Sequence, residues 1–221
     1  MRSTPHYTLW FVNQSLRSGQ ACLYHDLANV ACTQQGVRQH AWRVAGANPG
    51  VVVCFEWNLD YDFVWLDDSE AASRCQFVSA NQALGSTVSL TQTPFGYEFR
   101  EQPEPTSKGQ LVIQGDRSLI ASTAPSAGLG MQGGALFTVS AGPNITTVFT
   151  PAAKAQLSYW ISFGTYDLRP NAALYPAQLN PPARVRFPDQ VYTMTAALDA
   201  HNEWTLSPGE PSPNQFRHNP A

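Results

Sequence analysis

Short strand-like segments separated by turn residues run through most of this sequence. Tyr7–Val12 stops at an asparagine, and Val51–Trp57 follows the turn tripeptide Asn48-Pro49-Gly50. Segments of the same kind follow at Asp62–Leu66, Ser86–Thr91, Tyr97–Arg100, Gln110–Gln114, Ala135–Ser140, Thr146–Thr150, Ser158–Phe163, Val185–Phe187, Val191–Leu198 and Glu203–Leu206. Their spacing, close to the roughly 8–12 residues typical of sandwiches and barrels, predicts an all-β fold of about twelve short strands. We expect a single antiparallel β-sandwich, with a jelly roll as one arrangement of it, and little helix.

Composition excludes several other classes of protein. Charged residues make up 13% of the chain, against a usual value of about 25%, which is too few for the solvent faces of long helices. An aromatic content of 11% excludes a disordered chain. The formal net charge of −3 leaves no basic surface that could hold nucleic acid.

The sequence has no apolar run of the roughly 18–20 residues that a membrane span requires. Near its start, Leu9–Val12 is shorter than the apolar region of a secretory signal. We therefore expect a soluble protein that is cytoplasmic, or one that is exported without a conventional signal peptide.

The linkers between segments are short, so residues 1–206 are predicted to form a single β-sandwich domain. The Pro-rich stretch 207–221 has no apolar period and is predicted to be a C-terminal tail. Helical signals are few. Leu27–Gln39 could hold a short helix, and Pro151–Gln156 could form one turn with proline at its first position.

Five short motifs occur in a fixed order between residues 7 and 206: Phe55–Trp57 with Asp60–Trp65, Gly128–Gly133, Tyr159–Tyr166, Val191–Ala196 and Glu203–Thr205. Together they resemble the family of bacterial proteins typified by the rhizosphere-induced protein of rhizobia. The chain departs most from the family pattern between Asp26 and Arg43, and around Asp67–Gln82. The resemblance implies a soluble, mostly β accessory protein made in response to population density or host contact. It implies no catalytic residue.

The segment Glu56–Asp68 interleaves carboxylates with aromatic side chains. Asp60 and Asp62 could offer oxygen ligands to calcium, but the segment lacks the spaced ligands, the glycine and the distal glutamate of a calcium loop. We therefore expect a polar turn at Asn58–Tyr61 and no metal site. The turn would place Trp57 and Trp65 on neighbouring strands, either as core residues or as the wall of a ligand site.

Aromatic side chains elsewhere add to the ligand-binding candidates, which are Trp57, Tyr61, Trp65, Trp160 and Tyr166. The catalytic candidates are His25, Asp60, Asp62 and Asp167. His25-Asp26 pairs a base with a carboxylate, but adjacent residues of a strand point to opposite faces. The histidine and aspartate could converge only in a loop.

The glycines of Gly128–Gly134 superficially match a dinucleotide-binding fingerprint. That fingerprint requires a helix after the glycines, whereas the following residues Ala135–Val139 read as a strand. We therefore expect these glycines to permit a tight turn or positive φ angles instead.

The sequence contains no assembled catalytic motif, and its low charge and many aromatics favour a non-enzymatic binding or interaction protein. A carbohydrate, a small apolar ligand or a second copy of the chain are the partners considered, with no cofactor and no nucleic acid. One alternative is a cofactor-independent cyclase, isomerase or hydrolase of a specialised pathway with an apolar pocket. Another is a self-assembling structural protein. An open aromatic groove would favour the binding protein, and an enclosed pocket with a buried carboxylate or histidine would favour the enzyme.

The cysteines at positions 22, 32, 54 and 75 form no C-x-x-C pair and have no zinc-ligand spacing to a histidine. Cys54 lies in the apolar run Val51–Phe55 and is predicted to be buried. We expect thiol titration of the denatured, unreduced protein to report four free groups. A count of two or none would indicate disulfide bridges and an oxidising compartment.

Overall fold

The computed structural model describes residues 5–67, 74–103, 106–175, 177 and 179–212. Strands hold 54% of these residues and helical turns hold 4%. Two 3-10 turns lie at Leu27–Asn29 and Lys154–Gln156. The strands of the described residues are β1 (His6–Asn13), β2 (Gly19–His25), β3 (Val30–Cys32), β4 (Arg38–Gln39), β5 (Arg43–Ala47), β6 (Val52–Asn58), β7 (Tyr61–Asp67), β8 (Arg74–Ser79), β9 (Ser86–Thr93), β10 (Gly96–Glu101), β11 (Leu111–Gly115), β12 (Ser126–Met131), β13 (Gly134–Ser140), β14 (Thr146–Pro151), β15 (Ser158–Gly164), β16 (Ala183–Arg186), β17 (Thr193–Leu198) and β18 (Trp204–Pro208).

The predicted all-β class is confirmed, but the predicted strand number was too low. Each predicted segment falls on a strand, and β2, β3, β4, β5, β8 and β12 are additional. These strands lack a run of β-branched and aromatic residues: β4 is Arg38-Gln39, and β12 contains two glycines. The short helix considered for Leu27–Gln39 is wrong beyond its first turn, because the segment continues into β3 and β4.

Contacts between Cα atoms divide the chain into two compact units. The first unit comprises Met1–Asp26, Ala41–Leu59 and Ala153–Ala221, and the second unit comprises Leu27–His40 and Asp60–Ala152. A single sandwich domain over residues 1–206 stays a prediction. In the predicted tail, β18 continues to Pro208, and positions 213–221 lie outside the described residues.

The first unit contains two four-stranded sheets. Their strand orders are β18-β17-β1-β6 and β16-β15-β2-β5. Strand β1 lies between β6, with which it is antiparallel, and β17, with which it is parallel. The side chains of Phe11 on β1 and Phe163 on β15 pack with their ring centroids 5.2 Å apart. Aromatic side chains of the two sheets are therefore in direct contact inside this unit.

The second unit contains two five-stranded sheets, with strand orders β10-β9-β11-β14-β3 and β4-β13-β12-β7-β8. Strands β9 and β11 form another parallel pair. The sheets of the described residues are therefore antiparallel, as predicted, apart from one parallel pair in each unit. Phe63 on β7 and Phe99 on β10 have ring centroids 6.1 Å apart and join the two sheets of this unit.

The four cysteines are free thiols. Cys54 is exposed, contrary to the prediction. The reason lies in the period of two along β6: Phe55 and Trp57 are buried, and Cys54 shares the opposite face with Glu56.

The glycine-rich segment forms the hairpin β12–β13, with strand rather than helix after the glycines. The predicted turn is correct at Gln132-Gly133, whose φ angles are 50° and 73°. It is wrong at Gly128, which lies inside β12. A Cβ atom built on Gly128 would lie 1.9 Å from the carbonyl oxygen of Phe137. Glycine is needed here because the two backbones approach too closely for any side chain.

Replacing Gly128 by alanine is expected to lower the free energy of unfolding by more than about 2 kcal/mol, because backbone atoms of β13 must move to accept the methyl group. Gly46→Ala on β5 is the matched control, since no atom lies within 4 Å of the added Cβ there. Chemical denaturation of both variants checks this. Equal stability of the two variants would contradict the close approach of β12 and β13.

Candidate ligand pocket

Seven ring side chains of the first unit form one connected group, called here the aromatic cluster. Alternate residues of a strand share a face, so Tyr7, Leu9 and Phe11 of β1 all point into the core. The same alternation on β2, β6 and β15 turns His25, Trp57 and Tyr159 towards this core. The members of the cluster are Tyr7, His25, Trp42, Trp57, Tyr159, Phe187 and Tyr192.

Trp57 lies at the centre of the aromatic cluster and is fully buried. Its ring centroid is 5.1 Å from that of Tyr159, 5.4 Å from that of Trp42 and 5.6 Å from that of Phe187. All three contacts are edge-to-face, the arrangement that the charge distribution of aromatic rings favours. The indole Nε1 donates a hydrogen bond of 3.2 Å to the hydroxyl oxygen of Tyr159. Trp57 therefore has the surroundings of a core residue.

His25 ends β2 and is buried behind the same rings. Its ring meets Trp42 and Tyr159 edge-on, with centroids 4.9 Å and 4.7 Å away. Burial lowers the pKa of His25 to about 3, because the surroundings disfavour the imidazolium charge. His25 is therefore neutral at physiological pH, and it does not line the pocket described next.

A cavity of about 210 Å³ opens at one side of the aromatic cluster. Four aromatic rings lie in its wall: Tyr7, Tyr159, Phe187 and Tyr192. The rings meet edge-to-face, with interplanar angles of 83° between Tyr7 and Phe187 and 67° between Tyr7 and Tyr192. Lys154, Asp189 and Gln190 line it as well and are exposed to solvent. The pocket thus combines an aromatic wall with polar and charged groups.

Backbone hydrogen bonds position two parts of this pocket. The amide of Thr8 donates to the carbonyl oxygen of Tyr192 at 2.8 Å, which holds Tyr192 beside Tyr7. The amide of Val191 donates to the carbonyl oxygen of Pro188 at 3.0 Å, and Gln190 has a φ of 63°. The stretch from Pro188 to Val191 is therefore a tight turn that holds Asp189 at the pocket.

Lys154 begins the 3-10 turn after β14, and its side chain reaches the ring of Tyr7. The Nζ atom lies 5.8 Å from the centroid of that ring, within the range of a cation–π contact. Among the described residues, no carboxylate lies within 4 Å of this ammonium group.

Of the predicted ligand-binding residues in the first unit, Trp57 belongs to the aromatic cluster, whereas Trp160 and Tyr166 do not. Trp160 lies on the opposite face of β15 from Tyr159, with the guanidinium of Arg184 5.6 Å from its ring centroid. The Tyr166 hydroxyl forms hydrogen bonds of 2.7 Å with the Ser162 hydroxyl and with the Asn180 amide. Trp160 and Tyr166 therefore help to hold the outer side of this sheet.

The second unit contains the other aromatic candidates. Tyr61 and Trp65 are buried on β7. The Trp65 indole donates to Gln76 at 3.0 Å and packs edge-on against Tyr97 at 5.6 Å. The turn predicted between β6 and β7 is present, but those strands belong to different sheets. The prediction that Trp57 and Trp65 lie on neighbouring strands is therefore wrong.

The catalytic candidates are divided between the two units, with His25 and Asp167 in the first and Asp60 and Asp62 in the second. Asp60 and Asp167 are exposed. Asp62 is half-buried beside the β12–β13 turn, and burial raises the pKa of its carboxyl group. Among the described residues, no three His, Cys, Asp or Glu side chains gather as a metal site would require.

The divergence expected for His25 and Asp26 is observed. His25 points into the aromatic cluster, whereas the Asp26 carboxylate accepts hydrogen bonds from Arg184 at 2.7 Å and from the Ser158 hydroxyl at 3.0 Å. Asp26 therefore takes part in an ion pair with Arg184.

None of the predicted ligand-binding residues lines the pocket, so sequence reasoning missed its whole lining, including Tyr7, Lys154, Phe187 and Tyr192. These four residues come from three distant parts of the chain, and the pairing of β1 with β17 brings Tyr7 and Tyr192 together. The alternation along β1 indicated that Tyr7 shares a face with Leu9 and Phe11. No comparable signal marked Lys154.

Comparisons with known proteins cover nearly the whole chain. The RhiA family model matches residues 4–209. Protein RhiA of Rhizobium leguminosarum bv. viciae is 28% identical over 213 residues, which covers 91% of this chain and 86% of that protein. A search of solved structures gives no match. The resemblance predicted from the motifs is confirmed, and these names state neither a ligand nor a reaction.

The buried His25 makes stability depend on pH. Its pKa is about 3 in the folded protein against 6.5 as the ordinary value, so between these values the unfolded chain binds one more proton. Stability is complete above pH 6.5 and is lost as the pH falls through this window, by about 1.4 kcal/mol for each pH unit. We expect His25→Phe to remove most of this slope.

The free energy of unfolding by urea is measured for the wild type and for His25→Phe at several pH values from neutral to acid. The slopes of this free energy against pH are then compared. His6 is present in both proteins and cancels in the difference. Its pKa is raised by hydrogen bonds to Asn58 and Glu56, so its own effect has the opposite sign. Parallel slopes for the wild type and His25→Phe would contradict a neutral, buried His25.

Proposed function

The chain belongs to the RhiA family, and we propose that it is a non-enzymatic binding protein that holds a small ring-shaped ligand in the pocket of the first unit. The observation that carries the proposal is the aromatic wall of the cavity of about 210 Å³, with polar and charged groups beside it. Ligand sites in proteins typically combine apolar and aromatic walls with a few polar groups that fix orientation.

The shape of the wall favours a flat ligand with an apolar face. Tyr192 is 43% exposed, although its ring touches that of Tyr7. Because the Tyr192 ring is already partly exposed, it can pack against a ligand without a rearrangement of the core. A carbohydrate ring and a small aromatic molecule both offer an apolar face together with a polar edge, and both fit this description.

The size of the cavity restricts the ligand further. Pockets for drug-sized ligands are commonly about 300–1,000 Å³, and this cavity is smaller. A ligand of one ring is therefore a better match than a dinucleotide or another large cofactor.

The enzyme alternative depended on His25, Asp60, Asp62 and Asp167, and none of these lines the pocket. Nothing in the described residues favours it over binding.

The structure contains no helix, among the described residues, that is long and apolar enough to cross a membrane. The sandwich arrangement remains a prediction. The expectation that the protein is soluble, and either cytoplasmic or exported without a conventional signal peptide, also remains a prediction.

Ligand-observed NMR with benzyl alcohol and methyl glucoside as probes tests the proposal. We expect saturation transfer from the protein to at least one probe, and Tyr192→Ala to weaken that binding about fivefold or more through loss of a stacking wall. Tyr175→Ala is the matched control, because Tyr175 belongs to the same unit, is 62% exposed and does not line the pocket.

Melting curves of both variants establish that they are folded. Binding that Tyr175→Ala weakens as much as Tyr192→Ala does would place the ligand elsewhere. The absence of transfer to either probe would contradict binding of a single-ring ligand.

A further inference from the structure

We propose that the ligand carries a carboxylate on its ring and that Lys154 binds it. This inference rests on the proposed function and adds the charge of the ligand. The shared chemistry is a ring with an apolar face and one negative group, which an aromatic acid and a uronic acid both provide.

The position of the Lys154 ammonium group is the first observation. Its Nζ lies 5.8 Å from the ring centroid of Tyr7, a residue of the pocket wall. A lysine side chain has many rotamers, and its contact with this ring favours those that place the charge beside the cavity. Lys154 is therefore a charged group at the wall against which the ligand would pack.

The second observation is the lack of an acidic partner for this group. Within the described part of the chain, no carboxylate lies within 4 Å of Nζ. A carboxylate forms shorter and stronger hydrogen bonds with an ammonium group than a neutral oxygen does. An anionic ligand would therefore supply the partner that these residues do not.

The pocket also contains a negative charge, on Asp189, which would repel an anionic ligand. Asp189 and Lys154 are both exposed, so screening by water weakens both charges and does not distinguish them. A cationic ligand would gain most from the face of an aromatic ring, but Lys154 already lies over the ring of Tyr7. A second cation there would meet like-charge repulsion, whereas an anion would meet attraction.

Two pairs of probes that differ in charge test the inference. Benzoate is compared with benzyl alcohol, and glucuronate is compared with methyl glucoside, by ligand-observed NMR titration of the full chain. We expect one acid to bind about fivefold more tightly than its neutral counterpart. The pair that shows this preference identifies the ring as aromatic or carbohydrate.

Lys154→Met is the deciding variant, because methionine is an unbranched side chain only one atom shorter than lysine and carries no charge. We expect it to abolish the preference for the acid, so that the acid binds this variant no more tightly than the neutral probe does. Lys108→Met is the matched control. Lys108 is the other lysine of the chain, it is exposed and belongs to the second unit, and its loss changes the net charge equally.

The outcomes separate this inference from the proposed function. Acid and neutral probes that bind equally well, or an acid preference that survives in Lys154→Met, would overturn the inference and leave the proposed function standing. Tighter binding of benzylammonium than of benzoate would assign the ligand's charge to Asp189 instead. The absence of binding by every probe would contradict both.

Discussion

The contact between Trp57 and Tyr159 is the interaction on which the first unit depends. Trp57 comes from β6 at the edge of one sheet, and Tyr159 comes from β15 inside the other. Burial of two large rings removes much apolar surface from water. The hydrogen bond from the indole N–H satisfies a donor that burial would otherwise leave without a partner. Without that bond, a fully buried indole would carry an unpaired donor.

The pocket exists because the aromatic cluster continues beyond this buried contact to the surface. Trp57 is completely buried, Tyr7 is 6% exposed and Tyr192 is 43% exposed, so exposure rises along a series of touching rings. The parallel pairing of β1 with β17 makes the series possible, because it places residues from near both ends of the chain side by side. Charge beside the pocket is then supplied by short turns, which carry Lys154 and Asp189 without burying them.

Period-two patterns made the all-β class and many strands predictable from sequence. Tyr7–Val12 and Val51–Trp57 pack one face and have the β-branched and aromatic residues that strands favour. Strand β12 was not predictable in this way. Gly128 is needed because the backbone of β13 lies close to it, and this is visible only once the two strands are paired. The pocket was still harder to predict, since its residues are adjacent only after strands that are distant in sequence have paired. The aromatic motif around Trp65 was conspicuous in sequence, yet it serves the core of the second unit.

Tyr7 belongs both to the buried part of the aromatic cluster and to the pocket wall, and this double role has an energetic consequence. Its ring stacks on Trp57 and meets Phe187 and Tyr192 edge-on. A ligand packed against this ring would therefore add contacts to the place where β1 meets both β6 and β17. Binding to the folded state alone raises stability by mass action. Because the wall is continuous with the core, we infer that occupancy of this pocket and stability of the first unit are coupled through the same rings.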